Sequence, residues 1–233
     1  MPVQAVIFDL DDTLCDTSGS MLTALAAVSQ ITPAFSGLTP NELYDMQTRI
    51  MKTLEARVFS GELGPQDVRV RRFEFMLAER GQSAGGSEAA ATYRAAYRAS
   101  FRPLPGAGAL LGALRARGLK VGVLSNYLRE VQLETLEAVG LLPLVDSLVT
   151  VSDAPPKPHA GSYAAVCAAL KVEPAEAVMV GDSWPNDVAG AVAAGLRAVW
   201  YAPATAIAPE KSVPHRRLSS YKPQEEAVRV ILG

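Results

Sequence analysis

The apolar run Val3-Gln4-Ala5-Val6-Ile7-Phe8 is followed by more than a hundred residues with no further strand signal. A buried strand cannot stand alone, so this one must join a sheet supplied from much further along the chain. The intervening residues read as helix. Residues near Ser18 to Gln30 carry Met21, Leu22, Leu25 and Val28 on one helical face. Thr39-Pro40-Asn41-Glu42 opens a second helix, with Thr as N-cap and Pro at the first position, and it runs to about Phe59. Gly64-Pro65 opens a third that ends near Gly81, and a fourth runs from about Glu88 to Phe101. At Phe101-Arg102-Pro103-Leu104-Pro105-Gly106 the rhythm changes. Next come a helix to Arg117, strand Leu119 to Leu124, a helix from about Asn126 to Val139 and a short strand near Leu148 to Val151. Helix Gly161 to Leu170, strand Ala177 to Val180, a helix near Asp187 to Ala194 and strand Arg197 to Tyr201 complete the series. Such alternation predicts α/β structure, a parallel sheet with helices on both faces, and the first strand belongs to it. The helical block is therefore an insertion: residues 16–103 interrupt a core made of 1–15 and 104–233. Beyond about Thr205 the one readable element is a helix over Gln224 to Leu232.

The first strand also ends strangely. It runs into Asp9-Leu10-Asp11-Asp12-Thr13, and apolar strands do not end in clustered acids without a reason. In open α/β sheets the carboxyl ends of strands are where ligands bind. If the strand continued through them, Asp9 and Asp11 would leave on the same face, and such a pair needs a cation or a shared proton. A solvated turn with an Asp cap is the plain alternative for this segment alone. Three further groups fall where strands of the same sheet end. Ser125-Asn126 suits a phosphate at a helix N-terminus, or is an ordinary Ser N-cap. Lys157, held among Pro155, Pro156 and Pro158, is an aimed ammonium or a solvated loop lysine. Gly181-Asp182 and Asp187 add two carboxylates, of which Asp187 alone would read as a helix N-terminal acid. Together they make a balanced set: carboxylates for a hard cation such as Mg2+, and Ser, backbone amides and Lys for phosphoryl oxygens.

Composition closes other routes. A net charge of −2 gives no electrostatic case for nucleic acid or an anionic membrane, and no apolar run has the length of a membrane span. The two cysteines, Cys15 and Cys167, exclude a disulfide scaffold and point to the cytoplasm. Cys15 lies close to the acidic cluster, where it either touches substrate or packs as a buried thiol.

In order and position these segments resemble the four motifs of the haloacid dehalogenase-like (HAD) hydrolases: Asp9 to Thr13, Ser125, Lys157, and Gly181-Asp182 with Asp187. The insertion resembles that family's C1-type helical cap. The resemblance implies a Rossmann-like core, a cap that opens and closes over the site, bound Mg2+, and a phosphatase acting on small-molecule phosphate esters. Residue by residue it implies Asp9 as nucleophile and Asp11 as acid and base. Metal would be held by Asp9, the Asp11 carbonyl and Asp182. Phosphoryl oxygens would be held by Ser125, the Asn126 amide and Lys157, with Asp187 and Thr13 in supporting positions. The lysine loop Ala154 to Ala160 is richer in proline than the usual form, and the role of its His159 is open.

Rival activities can be weighed on the same residues. Dehalogenases and phosphonatases of the family typically lack the second Asp of the first motif, and Asp11 is present. A phosphonatase also needs a cap lysine, and Lys52 is the only lysine between Asp16 and Leu119. A phosphosugar mutase keeps both aspartates. A signalling receiver phosphorylates an Asp but has no large cap, and a non-catalytic regulator would have lost Asp9 or Asp11. For substrate selection the candidates in the insertion are Arg94 and Arg98, one helical turn apart beside Tyr93 and Tyr97.

Overall fold

The computed structural model describes residues 2–60, 62–64, 67–209 and 213–233. Six parallel strands form one sheet in the order β3-β2-β1-β4-β5-β6. The strands are β1 (Ala5–Phe8), β2 (Lys120–Leu124), β3 (Ser147–Val149), β4 (Ala177–Gly181), β5 (Arg197–Tyr201) and β6 (Arg216–Leu218). The first strand does find its partners far along the chain. It lies in the middle of the sheet, with Ala5 opposite Lys120 on one side and opposite Ala177 on the other. Strand order reverses at β1, which makes its carboxyl end the natural crevice of the sheet.

The chain divides into two compact units, Met1–Asp16 with Arg102–Gly233, and Thr17–Phe101. In the first, side chains alternate across the sheet. Val6, Phe8, Val121, Val123, Val178 and Val180 pack with α5 (Ala107–Ala116) and α9 (Gln224–Leu232). Ala5, Ile7, Leu124, Ala177 and Met179 pack with α7 (Ala160–Leu170). A fully buried side chain such as Ile7 contributes about 1.5–3 kcal/mol on this scale. Helix α7 lies close on β2: a Cβ on Gly122 would stand 2.8 Å from Leu170 Cδ1. Between β2 and β3 runs α6 (Arg129–Ala138), and α8 (Gly190–Ala193) precedes β5.

The second unit is all-helical: α1 (Thr17–Ile31), α2 (Pro40–Phe59), α3 (Val68–Glu79) and α4 (Gly86–Ala99) around Leu25, Val28, Leu43, Leu54, Phe73 and Met76. Thr39 and Glu42 cap α2 reciprocally: Thr39 N–H and hydroxyl both donate to Glu42 Oε2 at 2.8 Å, and Glu42 N–H donates to Thr39 Oγ1 at 3.3 Å. Pro65, expected in the start of the third helix, lies outside the described residues. Among the described residues no helix is long and apolar enough to cross a membrane.

Three local expectations need correction. The helix after β2 begins at Arg129, not at Asn126. The Ser125 hydroxyl accepts the Tyr127 N–H at 3.2 Å, which turns the chain before any helix starts. The stretch expected as helix from Asp187 begins earlier, as a π-turn over Trp184–Ala189. The tail contains β6, an edge strand of three residues, two of them Arg, too short and too basic to carry a strand signal.

Both thiols are buried. Cys15 belongs to the core around Leu14 and Leu111, and burial followed by the charges of Asp11, Asp9 and Asp12 pushes it up to about 12. Burial, then Glu173, raises Cys167 to about 11. Neither is a nucleophile near neutral pH.

Candidate active site

At the carboxyl ends of β1, β2 and β4, and on the loop after β3, a cleft of about 260 Å³ gathers Asp9, Asp11, Asp12, Ser125, Asn126, Lys157, Asp182 and Asp187. Thr13, Cys15 and His159, also singled out in the sequence, do not line it, and Thr13 is fully buried.

The first strand stops at Phe8, although Asp9 N–H still bonds to Val180 O at 2.9 Å. The chain then turns tightly. Leu14 and Cys15 N–H groups both return to Leu10 O, and Asp12 takes a left-handed conformation with φ of 55°, which Asp tolerates better than most residues. Strand alternation therefore does not set the direction of Asp11. Thr13 ties this turn to the loop after β4. Its hydroxyl donates to Asp182 Oδ1 at 3.2 Å and accepts the Asp182 N–H at 3.1 Å. Tyr221, from just ahead of α9, donates its hydroxyl to Thr13 O at 2.7 Å.

Lys157 is the electrostatic centre. Its Nζ lies 2.6 Å from Asp9 Oδ1 and 2.7 Å from Asp187 Oδ1, and it is 5% exposed. Burial alone would pull the ammonium's pKa down, but Asp9 and Asp187 together outweigh it and hold it above its ordinary value. The backbone of Lys157 is clamped as well. Asn126 Nδ2 donates to Lys157 O at 2.8 Å, and Lys157 N–H donates to Asn126 Oδ1 at 2.7 Å. The Asn126 side chain thus serves the lysine loop, a role its sequence position does not advertise. Further along that loop His159 caps α7, its Nδ1 accepting the Gly161 N–H at 3.0 Å.

Asp187 is completely buried, with Oδ1 on Lys157 and Oδ2 accepting the Ser183 N–H at 3.0 Å. Burial, then the Asp9 charge, pushes it up to about 7 against the pull of Lys157. It packs directly on the strand end. A Cβ at Gly181 would fall 2.3 Å from its carboxyl carbon, so that position admits only glycine. Gly190 is constrained the same way, 2.2 Å from the Tyr163 hydroxyl and 2.8 Å from Pro158 Cβ. Tyr163 itself donates to Asn186 O and so braces the π-turn.

Oxygens of Asp9, Asp182 and Asp187 lie within 4.8 Å of one another. Asp182, which reaches solvent, is pushed up to about 6 by partial burial and then by the charges of Asp9 and Asp12. Crowded carboxylates of this kind are relieved by a divalent cation, and an all-oxygen donor set suits Mg2+. Asp187, with both oxygens already engaged, is the least available of the three. The Asp182 carbonyl accepts the Trp200 indole N–H at 2.8 Å, which fixes the loop from the β5 side.

One buried residue of the site carries no motif signal. Gln132, on the first turn of α6, is 1% exposed and donates from Nε2 to Asp11 Oδ2 at 2.7 Å and to Ser125 Oγ at 2.6 Å. In the sequence it is one polar residue on an amphipathic helix. In the helical unit, Arg94 and Arg98 are exposed on α4, and Lys52 is exposed on α2. Tyr93 and Tyr97 stack on each other at 5.8 Å, and the guanidinium lying over Tyr93, at 4.1 Å, is that of Arg72.

The central parallel sheet thus carries a carboxylate-lysine cleft at the ends of its strands. The haloacid dehalogenase-like hydrolase family model matches residues 3–195, and the chain belongs to that family. Among its relatives, the glyceraldehyde 3-phosphate phosphatase of Methanothermobacter thermautotrophicus is 30% identical over 192 residues, 77% of this chain and 76% of that protein. The phosphoglycolate phosphatase of Nitrosospira multiformis is 30% identical over 186 residues, 78% and 75% of the two chains. The fold is shared with the HAD hydrolase YfnB of Bacillus subtilis, solved with magnesium (TM-score 0.77, 22% identity, 99% of each chain). It is shared too with the L-2-haloacid dehalogenase of Xanthobacter autotrophicus (TM-score 0.71, 22% identity, 97% of this chain and 98% of that one).

Proposed function

We propose that this hydrolase is a Mg2+-dependent phosphatase that cleaves small phosphate monoesters through an aspartyl-phosphate on Asp9. The observation that carries the reading is the seating of Asp9: its Oδ1 is held by the buried Lys157 in a cleft that Asp11, Ser125 and Asp182 also line. The phosphatases among its relatives support the same reading. Asp9, Asp182 and the Asp11 carbonyl would hold the cation, which when bound supplies positive charge against the phosphate dianion.

Asp9 attacks phosphorus and displaces the ester oxygen. Asp11 gives that oxygen its proton and later takes one from the hydrolytic water. Ser125, the Asn126 backbone amide and Lys157 hold the phosphoryl oxygens as charge redistributes. Lys157 has the geometry for two tasks, because the ammonium that meets the phosphate also fixes the nucleophile. Asp187 keeps that ammonium charged and aimed. Displacing halide from carbon needs no acid for the leaving group, so a carboxyl in the position of Asp11 favours an ester substrate over a haloacid.

The test is hydrolysis of a generic aryl phosphate by the purified protein with added Mg2+. Activity is expected with the metal, to be lost on chelation and restored by Mg2+. Full activity in the chelator would overturn the carboxylate-metal reading. We assign choice of ester to the helical unit, with Arg94 and Arg98 as candidate contacts. Arg94→Ala and Arg98→Ala should change relative kcat/KM over a panel of natural phosphate esters while sparing the generic one. Equal losses on every ester would remove them from selection.

A further inference from the structure

We propose that Gln132 is a positioning residue that fixes the direction of the hydrogen bonds on both reacting sides of the site. It makes Ser125 a donor toward the phosphoryl group and holds the Asp11 carboxyl by its Oδ2. The inference rests on the proposed phosphatase function.

An amide nitrogen has two hydrogens and no capacity to accept, so both Nε2 contacts run outward from Gln132. The opposite amide orientation would set Oε1 against the Asp11 carboxylate at the 2.7 Å now bridged by a hydrogen bond. The consequence for Ser125 is arithmetic. A hydroxyl has two lone pairs and one hydrogen. Its lone pairs accept from Gln132 Nε2 at 2.6 Å and from Tyr127 N–H at 3.2 Å. Only the hydrogen remains, and the side chain lines the cleft beside Asp9. A phosphoryl oxygen arriving there meets a donor already pointed, with no rotation needed in the transition state.

Asp11 is constrained from the same atom. Its Oδ2 accepts from Gln132, which fixes the direction of the carboxyl. In the proposed reaction Asp11 passes a proton to the ester oxygen as its bond to phosphorus breaks, giving the alcohol and the Asp11 carboxylate. In the second half Asp11 takes a proton from water as the water oxygen attacks the aspartyl-phosphate, releasing inorganic phosphate and the Asp9 carboxylate. Gln132 touches neither substrate nor water in this scheme. It acts through the two residues it holds.

The experiment compares wild type, Gln132→Glu and Gln132→Met on aryl and alkyl phosphates of graded leaving-group pKa, with inorganic phosphate as competitive inhibitor. Glu keeps the shape but, when ionised, offers no donor: the Ser125 hydroxyl turns toward it and Asp11 is repelled. Met keeps the volume and loses both bonds. Both variants should lower kcat about 10²-fold on alkyl esters and about tenfold or less on activated aryl esters, within the range for an acid that has lost its orientation. The inhibition constant for phosphate should rise about tenfold, reporting the lost Ser125 donor. A residue that only packs would tolerate the volume-matched Met, so a loss with Met that grows with leaving-group pKa is what separates positioning from packing. A Glu variant within about threefold of wild type on every ester overturns the proposal, as does a Met variant that lowers all leaving groups alike. If the Glu chain fails to fold, the leaving-group series on Met decides alone. A wild-type protein without Asp9-dependent phosphatase activity would instead overturn the proposed function itself.

Discussion

Asp9→Asn is expected to abolish turnover, by at least about 10⁴-fold, because the substitution removes the attacking oxygen and leaves an amide that cannot form the covalent intermediate. The fold should survive. Asp9 comes after a strand whose apolar side chains are fully buried on both faces of the sheet, and those contacts do not involve the carboxylate. Two measurements separate a lost nucleophile from a damaged protein. Acid-quenched wild type should carry phosphate on Asp9 by mass spectrometry during steady-state turnover, and the variant should carry none. The variant's Tm should stay close to that of wild type, because Lys157 keeps Asp187 as its partner and the crowding of Asp9 with Asp182 and Asp187 is relieved. A variant retaining a tenth of the activity would take the nucleophile role from Asp9, whatever the family resemblance.

Lys157→Ala should lower kcat/KM on every ester by about 10²–10³-fold, because it acts on the phosphoryl group that all substrates share. It should also destabilise the protein. Asp187 is fully buried with one oxygen on Lys157, and Asp9 is 8% exposed with the other contact. Removing one partner of a buried pair leaves uncompensated charge and costs about 3–5 kcal/mol. That cost should be largest without Mg2+, since a divalent cation would offset part of the orphaned charge. The double variant Lys157→Ala/Asp187→Asn separates the two effects, because it removes the stranded carboxylate without restoring the ammonium. Its Tm should recover toward wild type while its activity stays low. A Lys157→Ala protein with unchanged Tm and altered substrate preference would mean that the lysine faces the variable part of the substrate.

The local elements were legible because their causes are local. Dense apolar runs and the Thr39-Glu42 capping pair act within a few residues of themselves. Asp9, Ser125 and Asp182 were legible too, because each lies just past a strand, Lys157 lies on the loop after β3, and parallel sheets bring the carboxyl ends of strands to one edge. The make-up of the cleft was thus written in residue type and order. Three things needed the tertiary structure. β6 exists because β5 offers it an edge, not because Arg216-Arg217-Leu218 prefers extended structure. Asn126 grips the lysine loop across 31 positions of sequence, and Gln132 meets Asp11 across 121, so neither contact leaves a mark on its neighbours. The sheet decides the last matter as well: by placing β1 between β2 and β4 it turns scattered side chains into one site, since a hydrogen bond depends on position in space and a sequence records only position along the chain.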